Sequence, residues 1–65
     1  MFTVQLSSPQ GTHYLRGTVW TFADDTAKDR ATYYATAGEA RDALNKARTF
    51  MKAANYKAAR IVEND

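Results

Sequence analysis

The sequence predicts an α+β fold: a small antiparallel sheet, built from an N-terminal hairpin and a C-terminal strand, with one long helix packed on one face. Three observations carry this expectation. From Thr36 to Asn55 the apolar residues Ala40, Ala43, Leu44, Ala47, Phe50, Met51 and Ala54 recur every three or four positions, the spacing of one helix face. Phe2, Val4 and Leu6 alternate with Thr3, Gln5 and Ser7, the period of a half-buried strand. Strand-like runs stand on both sides of that single helical run, which indicates an antiparallel sheet carrying a helix rather than alternating βα units.

The elements follow in chain order. After the first strand, Ser8-Pro9-Gln10-Gly11 has turn chemistry: Pro presets φ at the second position and Gly supplies a positive φ at the fourth. A second strand is expected from about His13 to Phe22 or Ala23. Its residues divide into His13, Leu15, Gly17, Val19 and Thr21 on one side and Tyr14, Arg16, Thr18, Trp20 and Phe22 on the other. Leu15 and Val19 match the apolar face of the first strand, which leaves Tyr14, Trp20 and Phe22 around Arg16 on the opposite face. A bulge near Gly17 is the open alternative, and it would send Trp20 into the core.

Asp24–Arg30 is polar, opens with two capping residues and lacks β-formers, so one helical turn fits it. Ala31–Ala35 reads as an extended lead into the long helix. That helix starts at a capping box, with Thr36 as the cap and Glu39 three residues on reaching back to the Thr36 N–H. Asn55 is the expected stop. Phe50, central in the apolar stripe, is expected against Leu6, Leu15 or Val19. A last strand follows from Tyr56 to Glu63, with Ala59 and Ile61 on one face.

Length and composition bound the rest. A chain of 65 residues is expected to form one domain over residues 1–65. A domain so small buries about 60% of its unfolded surface, and its stability is on the order of 3–5 kcal/mol. The apolar fraction of 45% is too high for a disordered chain. Without Cys there is neither a disulfide framework nor a thiolate metal site. Met1–Val4 lacks a basic region followed by a long apolar run, and no stretch approaches the roughly 20 apolar residues of a membrane span. A soluble, cytoplasmic protein with no membrane partner is expected.

Net charge is +2, unevenly spread. Asp24, Asp25, Asp29, Glu39 and Asp42 crowd the middle, while Lys46, Arg48, Lys52, Lys57 and Arg60 follow with no acid between them. Acids near a helix start and bases near its end oppose the macrodipole, which accounts for part of this gradient.

Catalysis has little to stand on here. His13 is the one histidine, Ser7 and Ser8 have no base in reach along the sequence, and the three glycines build no phosphate loop. Asp24, Asp25 and Asp29 are explained by capping and solvation. A non-enzymatic protein without cofactor or metal is expected, and two binding readings remain. Arg41, Asn45, Arg48 and Lys52 fall in one line on the expected helix, a row that could contact the phosphates of a nucleic acid. The aromatic face of the second strand, Tyr14, Arg16, Trp20 and Phe22, has the composition of an interface hot spot, fit for a partner protein or a second copy of the chain.

Val19-Trp20-Thr21-Phe22-Ala23-Asp24-Asp25, then Ala27, Ala31 and Tyr33, then Thr36-Ala37-Gly38-Glu39-Ala40 and the closing Arg60-Ile61-Val62-Glu63 resemble a type of small phage- or prophage-encoded accessory protein. The resemblance covers most of the chain, and its shared positions are structural. It implies a non-enzymatic inhibitor that binds a host protein or a defence complex, as anti-CRISPR-type proteins do. The leading expectation is therefore a small protein-binding module acting on a host factor, with nucleic-acid binding as the alternative.

Overall fold

The computed structural model describes residues 1–64 and shows a four-stranded antiparallel sheet under a layer of short helices. Strand β1 is Phe2–Ser8, β2 is Gly11–Arg16, β3 is Val19–Trp20 and β4 is Arg60–Glu63, in spatial order β3-β2-β1-β4. The helices are α1 (Ala27–Arg30), α2 (Ala37–Ala47) and α3 (Ala53–Ala58), with a 3₁₀ turn at Arg48–Phe50. The α+β class is as the periodicities predict. The single long helix is not.

The first hairpin forms as its turn residues dictate. Ser8 pairs with Gly11 around Pro9 and Gln10, and Gly11 takes φ +131°. Along β1, Val4 and Leu6 are buried on the helix side. Thr3 is buried on the other side, where its hydroxyl accepts hydrogen bonds from Gln5 Nε2 at 3.0 Å and Asn64 Nδ2 at 2.8 Å. Those two donors remove the penalty that an unpaired buried hydroxyl would carry.

The long second strand is corrected. Gly17 takes φ +62° while Thr18 stays negative, and the chain reverses there, pairing Arg16 with Val19 and Leu15 with Trp20. A positive φ at the first central position is the sign pattern of a type II′ turn, which suits the twist of a hairpin. Directly opposed residues share a face, so Trp20 lies on the helix side with Leu15 and packs against the core. Val19, expected in the core, moves to the other face and is 58% exposed. Gly17 is thus the switch that the bulge alternative invoked, acting through a reverse turn.

Asp24 then organises the next turn. Its Oδ1 accepts from the Thr26 N–H at 2.9 Å and the Thr26 hydroxyl at 2.8 Å, and Arg30 Nη2 lies 2.9–3.0 Å from both carboxylate oxygens. In segment 31–35, Ala31 is extended and Tyr34 forms a single bridge to Phe2, with bends at Ala31 and Ala35. Thr32 N–H donates to the Leu15 carbonyl, and Tyr34 exchanges both backbone bonds with Phe2.

At the start of α2, Thr36 Oγ1 accepts from the Glu39 N–H at 3.1 Å. Glu39 reaches back one residue further than predicted, its Oε2 accepting from the Ala35 N–H at 3.2 Å. Ala40, Leu44 and Ala47 carry the apolar stripe into a core shared with Val4 and Leu15. Fully buried alanines let the helix approach the sheet closely.

Beyond Ala47 the expected helix ends. A continuous helix over Thr36–Asn55 would run about 30 Å, more than the 28 Å the molecule spans in its longest direction. Instead the chain tightens to 3₁₀, and Met51 turns extended (φ −136°, ψ 161°). It then folds back through α3, so that Arg60 pairs with Gln5. Asn55 is consequently inside α3 rather than a stop, and Tyr56–Ala58 is helical rather than strand. Phe50 is corrected too: it is 68% exposed, not a core residue.

Candidate interaction surface

The turn at Gly17 decides which aromatic residues meet. Arg16, Trp20 and Phe22 line a shallow cavity of about 160 Å³ together with Val19, Thr21 and Arg30. Tyr14, expected with them, lines a separate depression of about 290 Å³ beside Gly11, Asp24 and Lys28. The single aromatic face predicted for one strand is therefore divided. Trp20 is half-buried in the cavity wall, while Phe22 stands at its rim, 79% exposed. Val19, Thr21 and Arg30 complete the wall and were missed by the sequence reading. A Gly at the middle of an alternating run was the available signal for Val19; nothing local announced Arg30, which reaches the site only through its clamp on Asp24.

Two side-chain N–H groups, Trp20 Nε1 and Arg30 Nε, are buried without a hydrogen-bond partner. Native proteins pair most such donors, so each calls for an explanation. Arg30 already uses Nη2 on Asp24 in the one ion pair among the described residues. The Thr26 hydroxyl, the Thr26 N–H and then Arg30 hold the Asp24 carboxyl below its usual range. Burial acts the other way on Tyr34, raising its phenol above the ordinary value of 10.0.

The basic row is redistributed by the helix break. Arg41 and Asn45 lie on α2, Arg48 opens the 3₁₀ turn and Lys52 caps α3, so the four no longer share one helix. All four are exposed. Tyr56 fills the gap between them: its hydroxyl donates to Asn45 Oδ1 at 2.6 Å, and its ring lies 5.1 Å from the Arg48 guanidinium carbon. Cation–π contacts at exposed sites contribute about 0.5–1 kcal/mol.

One expectation about catalysis also needs correction. Ser8 does have a base in reach, because the hairpin places its Oγ 2.7 Å from His13 Nε2. The Thr21 carbonyl, 2.8 Å from His13 Nδ1, can only accept, so Nδ1 carries a proton, while the single Ser8 hydroxyl proton is shared among His13 Nε2, Gln10 Oε1 at 3.0 Å and the Gly11 carbonyl at 3.4 Å. The Ser8 Oγ also accepts from the Gln10 N–H at 3.2 Å, which ties the hydroxyl into the turn. The trio staples the hairpin to the segment after β3, and His13 is half-buried in it.

Among the described residues no group of His, Asp or Glu is placed to hold a metal ion, and no helix is long and apolar enough to cross a membrane. No known family, curated protein or solved structure matches this chain. The fold and the surface together define a small two-layer α+β domain with an aromatic, cation-bearing cavity at the β2–β3 hairpin.

Proposed function

We propose that this chain is a non-enzymatic, cytoplasmic protein-binding module that docks a partner on the β2–β3 hairpin. One observation carries the reading: Phe22 stands 79% exposed at the rim of a cavity walled by Trp20, Arg16 and Arg30. Aromatic and Arg side chains clustered around a pocket are the residue types that dominate binding energy at protein interfaces. Keeping a Phe in water forgoes roughly 1.5–3 kcal/mol of burial, which a docked partner recovers. The resemblance to small phage-encoded inhibitors supports a host protein or defence complex as the target and inhibition as the outcome.

Capture from a bacterial lysate with the chain and with its Phe22→Ala variant tests this. Proteins retained by the parent should be lost by the variant, whose thermal midpoint stays within a few degrees because Phe22 is outside the core. Equal retention by both would sink the hairpin as the docking surface.

Nucleic-acid binding is the second reading, favoured by the Arg48–Tyr56 stack between Asn45 and the exposed Arg41 and Lys52. It requires affinity that falls steeply with salt, at about −0.9 in log–log slope per phosphate contact on duplex DNA. An Arg41→Ala/Arg48→Ala/Lys52→Ala variant should then lose most of that slope.

A further inference from the structure

Building on the docking reading above, we infer that the hairpin cavity takes an acidic segment of the partner protein, a carboxylate side chain next to an apolar one. Its polar wall offers donors almost alone. Arg16 contributes a guanidinium with no ion pair or side-chain hydrogen bond among the described residues. Arg30 is held at one end by Asp24, leaving its buried Nε unpaired, and Trp20 Nε1 is unpaired as well. Thr21 is the remaining polar residue, and its acceptors are engaged: Oγ1 accepts from the Tyr14 N–H, and its carbonyl faces His13 Nδ1. No carboxylate among the described residues lines the cavity. Trp20 Nε1 and Arg30 Nε are shielded from solvent, so the donor open to a ligand is the exposed Arg16 guanidinium, whose fork fits a carboxylate in particular.

The apolar rim supplies the second half of the recognition. Val19 and Phe22 are both exposed there, at 58% and 79%. A side chain adjacent to the carboxylate would lie on them while the acid pairs with Arg16. At about 160 Å³ the cavity is smaller than the roughly 300 Å³ at which small-molecule sites begin. It has room for one side chain delivered on a larger partner.

Charge around the cavity favours a peptide over a nucleic acid. The segment that supplies Arg30 also carries Asp24, Asp25 and Asp29, all exposed. A polyanionic backbone would have to run beside those acids, whereas a single carboxylate need not. The bases without acids among them, Lys46 through Arg60, belong to α2, the 3₁₀ turn, α3 with its cap, and β4.

A random peptide library displayed against the purified chain, with Trp20 fluorescence reading the affinity of the selected peptides, tests the inference. Selected peptides should carry Asp or Glu beside an aromatic or aliphatic residue. Arg16→Glu should weaken them roughly tenfold or more, since a charge-assisted pair becomes a repulsion. Lys52→Glu, the same charge change away from the cavity, should leave affinity nearly unchanged. The Arg16 side chain is exposed and makes no hydrogen bond or ion pair among the described residues, so its variant should remain folded by circular dichroism. Peptides that lose binding on Phe22→Ala but show no acidic preference, or weaken equally in both Glu variants, overturn the acidic pocket and leave the hairpin reading intact. Peptides indifferent to Phe22→Ala overturn both. Displacement of a selected peptide by a single-stranded oligonucleotide, dependent on Arg16, overturns the inference in favour of nucleic acid.

Discussion

The two halves of Thr36–Asn55 carry the same apolar rhythm and meet opposite fates. In the first half Ala40, Leu44 and Ala47 are buried on the sheet; in the second Phe50 and Ala54 face solvent and only Met51 stays half-buried. Periodicity sets which side of a helix is apolar, but it does not say how far the sheet beneath extends. An 11-residue α2, about 16 Å long, suffices to cover the sheet. The chain must then return to lay β4 against β1, and the second half is used for the return. A hydrophobic stripe is therefore a statement about direction. Its length is decided by the partner layer.

That contrast can be broken or sharpened by substitution. The largest effect is expected from Leu44→Ala, which empties a site 5% exposed at the centre of the core. It should cost about 2–5 kcal/mol, a large part of the roughly 3–5 kcal/mol that holds so small a domain folded, and chemical denaturation reads it directly. A loss below 1 kcal/mol would mean that the first half of the stripe is no more buried than the second. Met51→Ala comes next at about 1–2 kcal/mol, because the side chain is half-buried and touches the same core from beyond the helix break. Gly17→Ala should cost about 1–2 kcal/mol, the penalty of a left-handed φ for a residue with a Cβ. No atom lies within 4 Å of a Cβ placed there, so the loss is conformational. An unchanged midpoint would place the chain reversal elsewhere.

A smaller effect should appear as a pH dependence. Tyr34 packs beside the buried half of the stripe, and burial raises its phenol above 10.0. A group whose folded value is raised contributes stability that is complete below the unfolded value and lost as pH rises through the folded one. Stability should therefore fall more steeply above about pH 10 in the parent than in Tyr34→Phe, compared by urea denaturation on both sides of that pH. Parallel curves would remove Tyr34 from the account. The smallest effect belongs to Phe50→Ala, within about 0.5 kcal/mol, since the ring is 68% exposed. A cost above 2 kcal/mol would restore the continuous helix.

Legibility tracked how local the cause was. The Pro9–Gln10 turn with Gly11 and the Thr36 cap each depend on residues a few positions apart, and each lies where its residues placed it; α1 is the expected single turn, but it starts after Thr26, which makes no side-chain cap, and not at Asp24 or Asp25. Glu39 missed by one residue, bonding the Ala35 N–H instead of Thr36's, because both donors lie within its reach. The candidate surface was half legible. Arg16, Trp20 and Phe22 do meet at one cavity, but across a turn rather than along one strand, with Tyr14 excluded and Arg30 recruited. Alternation counts positions and is blind to a reversal that preserves the count. The Ser8–His13 pair was hidden for a related reason: five positions separate the two residues, and only the hairpin register brings them to 2.7 Å.

By itself, then, the order of residues determined the α+β class, the first hairpin, the start of α2 and the face that α2 turns inward. These follow from backbone sterics, capping hydrogen bonds and the burial preference of a stripe, all of which act within one or two turns of chain. Only the tertiary structure decided where α2 stops, whether Trp20 or Val19 faces the core, and which side chains wall the hairpin cavity. Those outcomes depend on how far one layer extends over another and on a single glycine's φ of +62°, where the chain reverses to pair Arg16 with Val19 and Leu15 with Trp20. Contacts between segments distant in sequence carry that information, and no window along the chain contains it.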